Sequence, residues 1–215
     1  MLVLKLCEIL QSRYIPKPEV IRSICPKRTS SEKEVGIWDI LGFYDARKRK
    51  ITICDKNIEE YGEKLLQKIE NDKTKLTLFL RELVRLHEHA HAFLNTARIV
   101  NSPLHRNWYH TLPEDVNEPV VEFIVHCIIE EEKHEPLWIK IFEEADKDTP
   151  EYYRNWKYIK DILVEKGEYF DSRPTLMIVP IVKFVRSKVW NSWEDFYNSL
   201  KMNSQLKINV LKELL

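Results

Sequence analysis

Glycine is scarce in this chain, with four in 215 residues, and that argues against a loop-rich or all-β design. Net charge is missing too, because 34 basic residues balance 34 acidic ones. Such a balance gives no field that draws a protein to a phosphate backbone, so no nucleic-acid partner is expected. No stretch approaches 18 apolar residues, which excludes an ordinary membrane-spanning helix and any membrane role built on one. Met1-Leu2-Val3-Leu4-Lys5-Leu6 is too short for a signal-peptide core and lacks a basic start. Cys7, Cys25, Cys54 and Cys127 form no C-x-x-C pair, so neither a zinc ribbon nor a thioredoxin-like motif is written. Cys7, Cys54 and Cys127 lie in apolar runs and read as buried free thiols. These absences together predict a soluble protein of the cytoplasm.

Hydrophobic residues make up 44% of the chain and charged residues 32%, enough for a real core under a well-solvated surface. Residues 2–13 and 18–25 read as helices and 27–34 as a loop. Two β-leaning runs, 35–44 and 50–54, flank the turn Asp45-Ala46-Arg47-Lys48-Arg49. Its basic tip reads as charge protecting a hairpin rather than as a nucleic-acid contact. Residues 57–71 form a helix with Ile58, Tyr61, Leu65, Leu66 and Ile69 inward. Asp72 or Thr74 caps the next helix, which runs to about Val100. Pro113 with Glu114 and Asp115 starts another, in which Pro119 marks a bend or a second start. Pro136 and Pro150 open two more, to about Ala145 and to Lys166, and Gly167 ends the second. Residues 175–186 fit a strand or a buried helix, while 193–201 and 208–215 close the chain as helices.

The chemistry sits in Arg85-Leu86-His87-Glu88-His89-Ala90-His91-Ala92-Phe93. It holds the H-E-x-x-H pattern, and its function follows from helical geometry. Residues four apart share a helix face, about 5–6 Å between Cβ atoms. Two imidazoles so placed reach one Zn²⁺ at about 2.0–2.1 Å. Glu88 projects beside them, where it can take a proton from a water at the metal. Phe79, Leu83, Leu86, Ala90, Phe93 and Ala97 recur at helical spacing and supply the core face.

A catalytic zinc takes three protein ligands and keeps one position open. Asn117-Glu118-Pro119-Val120-Val121-Glu122-Phe123 supplies two carboxylates four residues apart. One can bind metal while the other accepts the free N–H of a ligating imidazole. Because Pro119 disturbs the backbone at Glu118, the spacing alone also admits Glu122, Glu114 or Asp115 as the ligand.

At these residues the chain resembles the gluzincin branch of the zincin metallopeptidases. That branch pairs H-E-x-x-H on one helix with a Glu on the next, often within N-E-x-x-x-D or E-G-x-A-E-Y. Asn117, Glu118 and Glu122 stand at the places of the first pattern; Glu118, Val121, Glu122 and Phe123 at those of the second. The resemblance covers roughly residues 35–130 and is nearest to the compact intracellular ImmA/IrrE-like peptidases. It implies that His87, His91 and Glu118 hold one Zn²⁺ per chain and that Glu88 is the general base. It also implies that Asn117 and Glu122 lie behind the ligands, and that Ile37–Leu41 or Ile51–Ile53 runs beside the cleft as an edge strand.

Among the other polar residues, His89 reads as turned away from the metal, His126 as a satisfied core histidine and His134 as exposed. His105, Tyr109 and His110 lie in a loop that would roof the site. Tyr109 and His110 are the candidate donors to a developing oxyanion, with Tyr152, Tyr153 and Tyr158 as rivals.

The expected fold is α+β and mainly helical, with a small sheet packed on the metal-binding helix. Residues 1–134 are expected to form the catalytic region and 135–215 a helical part packed on it. The expected function is hydrolysis of a peptide or protein substrate. The alternatives are a zinc-binding partner module derived from a peptidase, or a protease dedicated to one regulatory protein. Glu88 separates enzyme from module, since a purely structural site needs no base.

Overall fold

A three-stranded sheet lies at one side of a mainly helical α+β molecule. The computed structural model describes residues 19–23, 25, 36–69, 72–96, 108–131, 136–169 and 171–203. Strand order is β1 (Glu19–Ser23), β3 (Lys50–Cys54), β2 (Gly42–Asp45). β1 runs parallel to β3 with Val20 opposite Ile51, and β2 runs antiparallel to β3 with Tyr44 opposite Ile51. β3 is the centre strand, and Ile51, Thr52, Ile53 and Cys54 are all buried. The hairpin between β2 and β3 falls where the turn residues place it. Asp45 accepts hydrogen bonds from the backbone N–H of Arg47 and Lys48, each at 3.0 Å.

Two local expectations are corrected. Residues 19–23, read as helix, form β1. The β-branched Val20 and Ile21 fit a strand, and the partner that decides the matter lies about thirty residues away. Residues 37–41, read as strand, form the short helix α1 (Ile37–Leu41), whose buried Ile37, Trp38 and Leu41 share one face at helical spacing. A third correction is chemical. Cys54 is not a free thiol but bridges to Cys25, joining the end of β3 to the residues after β1. Cys127 is free and buried, as read. The helix at 2–13, the loop at 27–34, Cys7, Ala97, His105, His134 and the helix at 208–215 lie outside the described residues.

α2 (Asp55–Leu66) turns Ile58, Tyr61 and Leu65 inward. α3 (Lys73–Thr96) is the long helix of the molecule, and Asp72 caps it by accepting from the Lys75 N–H at 2.8 Å. After α4 (Trp108–Thr111), a single turn, comes α5 (Glu114–Glu131), which continues through Pro119 as one helix. Val116 and residues 118–125 and 127–129 of α5 are buried, so α5 is the axle of the fold rather than a surface helix. Around it pack α3, α6 (Leu137–Asp146), a 3₁₀ turn at Glu151–Asn155 and α7 (Trp156–Glu165). A second 3₁₀ turn at Pro174–Met177, α8 (Ile178–Val185) and α9 (Trp193–Met202) complete the ring. The ambiguous run 175–186 is therefore helical, with Pro180 in the first turn of α8, where a missing N–H costs little. One hydrophobic cluster runs from Ile37 to Leu200. Among the described residues no helix is long and apolar enough to cross a membrane.

Candidate metal centre

The i, i+4 spacing on α3 puts His87 and His91 on the face turned toward α5, and α5 brings Glu118 to meet them. His87 Nε2 lies 3.1 Å from His91 Nε2. Glu118 Oε2 lies 3.5 Å from the first nitrogen and 3.3 Å from the second. A tetrahedral zinc with ligand bonds of about 2.0–2.1 Å requires donor–donor edges of about 3.3–3.4 Å. The three observed edges bracket that value, so this buried group could hold a metal ion. Pro119 leaves Glu118 in place because α5 runs through it unbroken.

The far side of each ring is also engaged. His87 Nδ1 sits 3.2 Å from Glu122 Oε1, and His91 Nδ1 sits 2.9 Å from the Tyr109 hydroxyl. Asn117 Nδ2 donates to that same hydroxyl at 3.3 Å. With both ring protons on Nδ1, the tautomers a bound metal would select, two Nε2 lone pairs face each other. In that state a cation at the centre would satisfy both. The Glu122 contact has ion-pair distance but poor hydrogen-bond alignment, and Glu118 Oε2 has no hydrogen bond at all. A buried carboxylate oxygen so placed, beside two imidazole nitrogens, could serve as a ligand atom.

Electrostatics agree with the donor geometry. Burial pushes the His87 imidazole down, but Glu118 and Glu122 on its two nitrogens outweigh this and hold it well above its ordinary value. Burial would raise Glu118, yet His91 and His87 pull it down to about 2. Glu122 is pushed up to about 7 by burial against the pull of His87. The cluster thus draws positive charge toward itself. Glu88 is 2% exposed and burial pushes it up to about 7, opposed by the two imidazoles. It has no hydrogen-bond partner among the described residues, so its carboxylate is uncommitted beside the cluster.

The site has walls that the spacing could not announce. Trp38 of α1 stacks on His87, with centroids 5.5 Å apart and 21° between planes. β2 crosses α3 so closely that a Cβ on Gly42 would lie 2.7 Å from Val84 Cγ1 and 3.3 Å from Glu88 Cγ. The edge strand beside the helix that carries His87 and His91 is therefore β2, not residues 37–41, which are helical, nor 51–53, which lie in the centre strand β3. In so glycine-poor a chain, a Gly between Leu41 and Phe43 was the available signal of close approach. Tyr153 donates to Asp39 at 2.6 Å behind α1, and nothing in the sequence linked those two.

Tyr109 stands behind His91 with its hydroxyl engaged there, and His110 is exposed with its ring against Tyr109. Tyr152 donates to Glu114 at 3.3 Å, so Glu114 lies outside the triangle, and Tyr158 is exposed. Asp115 accepts from the Trp193 N–H at 2.9 Å and is likewise elsewhere. His89 bonds the Arg85 carbonyl at 2.7 Å, away from the metal group. His126 stacks on Trp156 at 4.2 Å and pairs with Glu130 at 3.1 Å. Comparison with known protein families, with characterised proteins and with solved structures finds no match to the chain in any of the three.

Proposed function

We propose that the chain is a zinc-dependent metallopeptidase of gluzincin type that hydrolyses bonds in a peptide or protein. The observation that carries this reading is the triangle of His87 Nε2, His91 Nε2 and Glu118 Oε2, with Glu88 uncommitted beside it. Structural zinc sites close all four positions with protein ligands, whereas three ligands leave room for water. When bound, zinc would polarise the substrate carbonyl and lower the pKa of a water. Glu88 takes the proton of the attacking water and passes it to the leaving nitrogen, serving first as base and then as acid. Glu122 and Tyr109 hold the planes of the two imidazoles, so that Nε2 rather than Nδ1 faces the centre.

The donors are little exposed, 3% for His87, 7% for His91 and 6% for Glu118, which favours a second reading. There the metal braces a binding module, or the cleft opens only for one regulatory protein. The Cys25–Cys54 bridge bears on setting: it argues for a compartment oxidising enough to keep it, against the cytoplasmic one. Glu88→Gln separates enzyme from module. The variant should keep its metal and its melting temperature and lose hydrolysis by about 10²–10⁴-fold. Loss of zinc from Glu88→Gln would make Glu88 a ligand and remove the base from the mechanism.

A further inference from the structure

Arg186 follows α8, is 2% exposed and lies 93 residues after Phe93 in sequence. Its guanidinium reaches two carbonyls near Thr96, the last described residue of α3. Nη2 donates to the Phe93 carbonyl at 3.0 Å and to the Leu94 carbonyl at 2.7 Å, and Nε donates to Leu94 at 3.2 Å. Phe93 follows His91 by two residues, so the grip falls next to the ligand.

The same guanidinium lies over the Trp108 ring, 5.7 Å from its centroid. Trp108 opens α4, and the next residue is Tyr109, whose hydroxyl meets His91 Nδ1. One side chain therefore holds both the helix end that carries His91 and the turn that carries His91's partner. The arrangement suits a planar fork, since two carbonyls lie at its edge and a ring lies on its face; an ammonium is a point charge without that edge and face.

We propose that Arg186 is a positioning residue for the metal centre, which fixes Tyr109 against His91 by clamping the Phe93 and Leu94 carbonyls and the Trp108 ring in one grip. The inference rests on the metal reading of His91, and it makes the segment after α8 part of the site's support rather than a passive cover.

The test uses the full chain with Tyr109→Phe, Arg186→Lys and the double variant. The first readout is the imidazole nitrogen NMR signal of His91 in metal-free protein. Tyr109→Phe removes the hydroxyl and moves that signal; Arg186→Lys should move it in the same direction, and the double variant no further. The second readout is zinc affinity by competition with a chelator. Each single variant should weaken zinc by about 10-fold. The double variant should match either single one rather than multiply them, because both act on one bond. Should Arg186→Lys fail to fold, Trp108→Leu removes the ring half of the clamp and should shift the same signal. An Arg186→Lys protein with a lowered melting temperature but wild-type His91 signal and zinc affinity would reduce Arg186 to a helix cap and overturn the proposal. Multiplied losses in the double variant would overturn it as well. If wild-type protein takes up no zinc, the metal reading fails separately, and the His91 signals still decide what Arg186 does.

Discussion

Both histidines of the candidate centre are held from behind, His87 by Glu122 and His91 by Tyr109. This division of labour predicts unequal losses. Glu118→Ala removes a converging donor and should weaken zinc severely. Glu122→Ala removes only the partner of His87 Nδ1 and should cost about 10–100-fold in affinity. Chelator competition orders the two, and a larger loss from Glu122→Ala would move the third ligand one helical turn along α5. At this scale the legible residues were those related by local geometry. His87, Glu88 and His91 share one helix, and Glu118 and Glu122 share another, so spacing grouped each set, while the choice of Glu118 as the ligand came from the resemblance. Trp38, Asp39, Tyr153 and Arg186 reach the site or its supports only through tertiary packing. No period in the sequence connects Arg186 to Leu94, and Tyr109 could be placed near the site but not assigned to His91 Nδ1.

Among the elements, β2 and α3 make the tightest approach, at Gly42. Gly42→Ala puts a Cβ 2.7 Å from Val84 Cγ1 and 3.1 Å from the Thr52 carbonyl. Neither neighbour is the free end of a flexible chain, so strand and helix must part. A loss of about 1–3 kcal/mol in stability is expected, read from denaturant unfolding. Zinc affinity should fall less than in Glu118→Ala, because Gly42 touches Glu88 and not the ligands. Wild-type stability in Gly42→Ala would show that the sheet does not rest on α3 as described. The long helices were legible because each buries a repeating face and carries its own signals, such as Asp72 at the start of α3 and Gly167 after α7. The short elements were not. Four or five residues carry too little pattern, and β1 and α1 are decided by what lies across from them: β3 for one, His87 and Phe142 for the other.

For the whole molecule, α5 joins two tasks, carrying Glu118 and Glu122 while serving as the axle for everything after residue 136. The sheet is stapled within itself, the end of β3 to the residues after β1, by the Cys25–Cys54 bridge across 29 residues. Closing a loop of that length restricts the unfolded chain, and reduction should lower stability by about 3–4 kcal/mol. Zinc affinity should survive reduction, since the bridge touches no ligand; loss of metal with the disulfide would tie the sheet to the site. The bridge itself was illegible, because parallel pairing of β1 with β3 is what brings the two cysteines together. The central claim is that two imidazoles and one carboxylate converge on a metal. Its most direct measurement is zinc content after dialysis against micromolar zinc, taken for wild type, His91→Ala and Glu118→Ala in parallel. About one zinc per wild-type chain is expected, with little retained by either folded variant. Wild-type protein that stays metal-free, or a Glu118→Ala variant that keeps its full zinc, would contradict the claim.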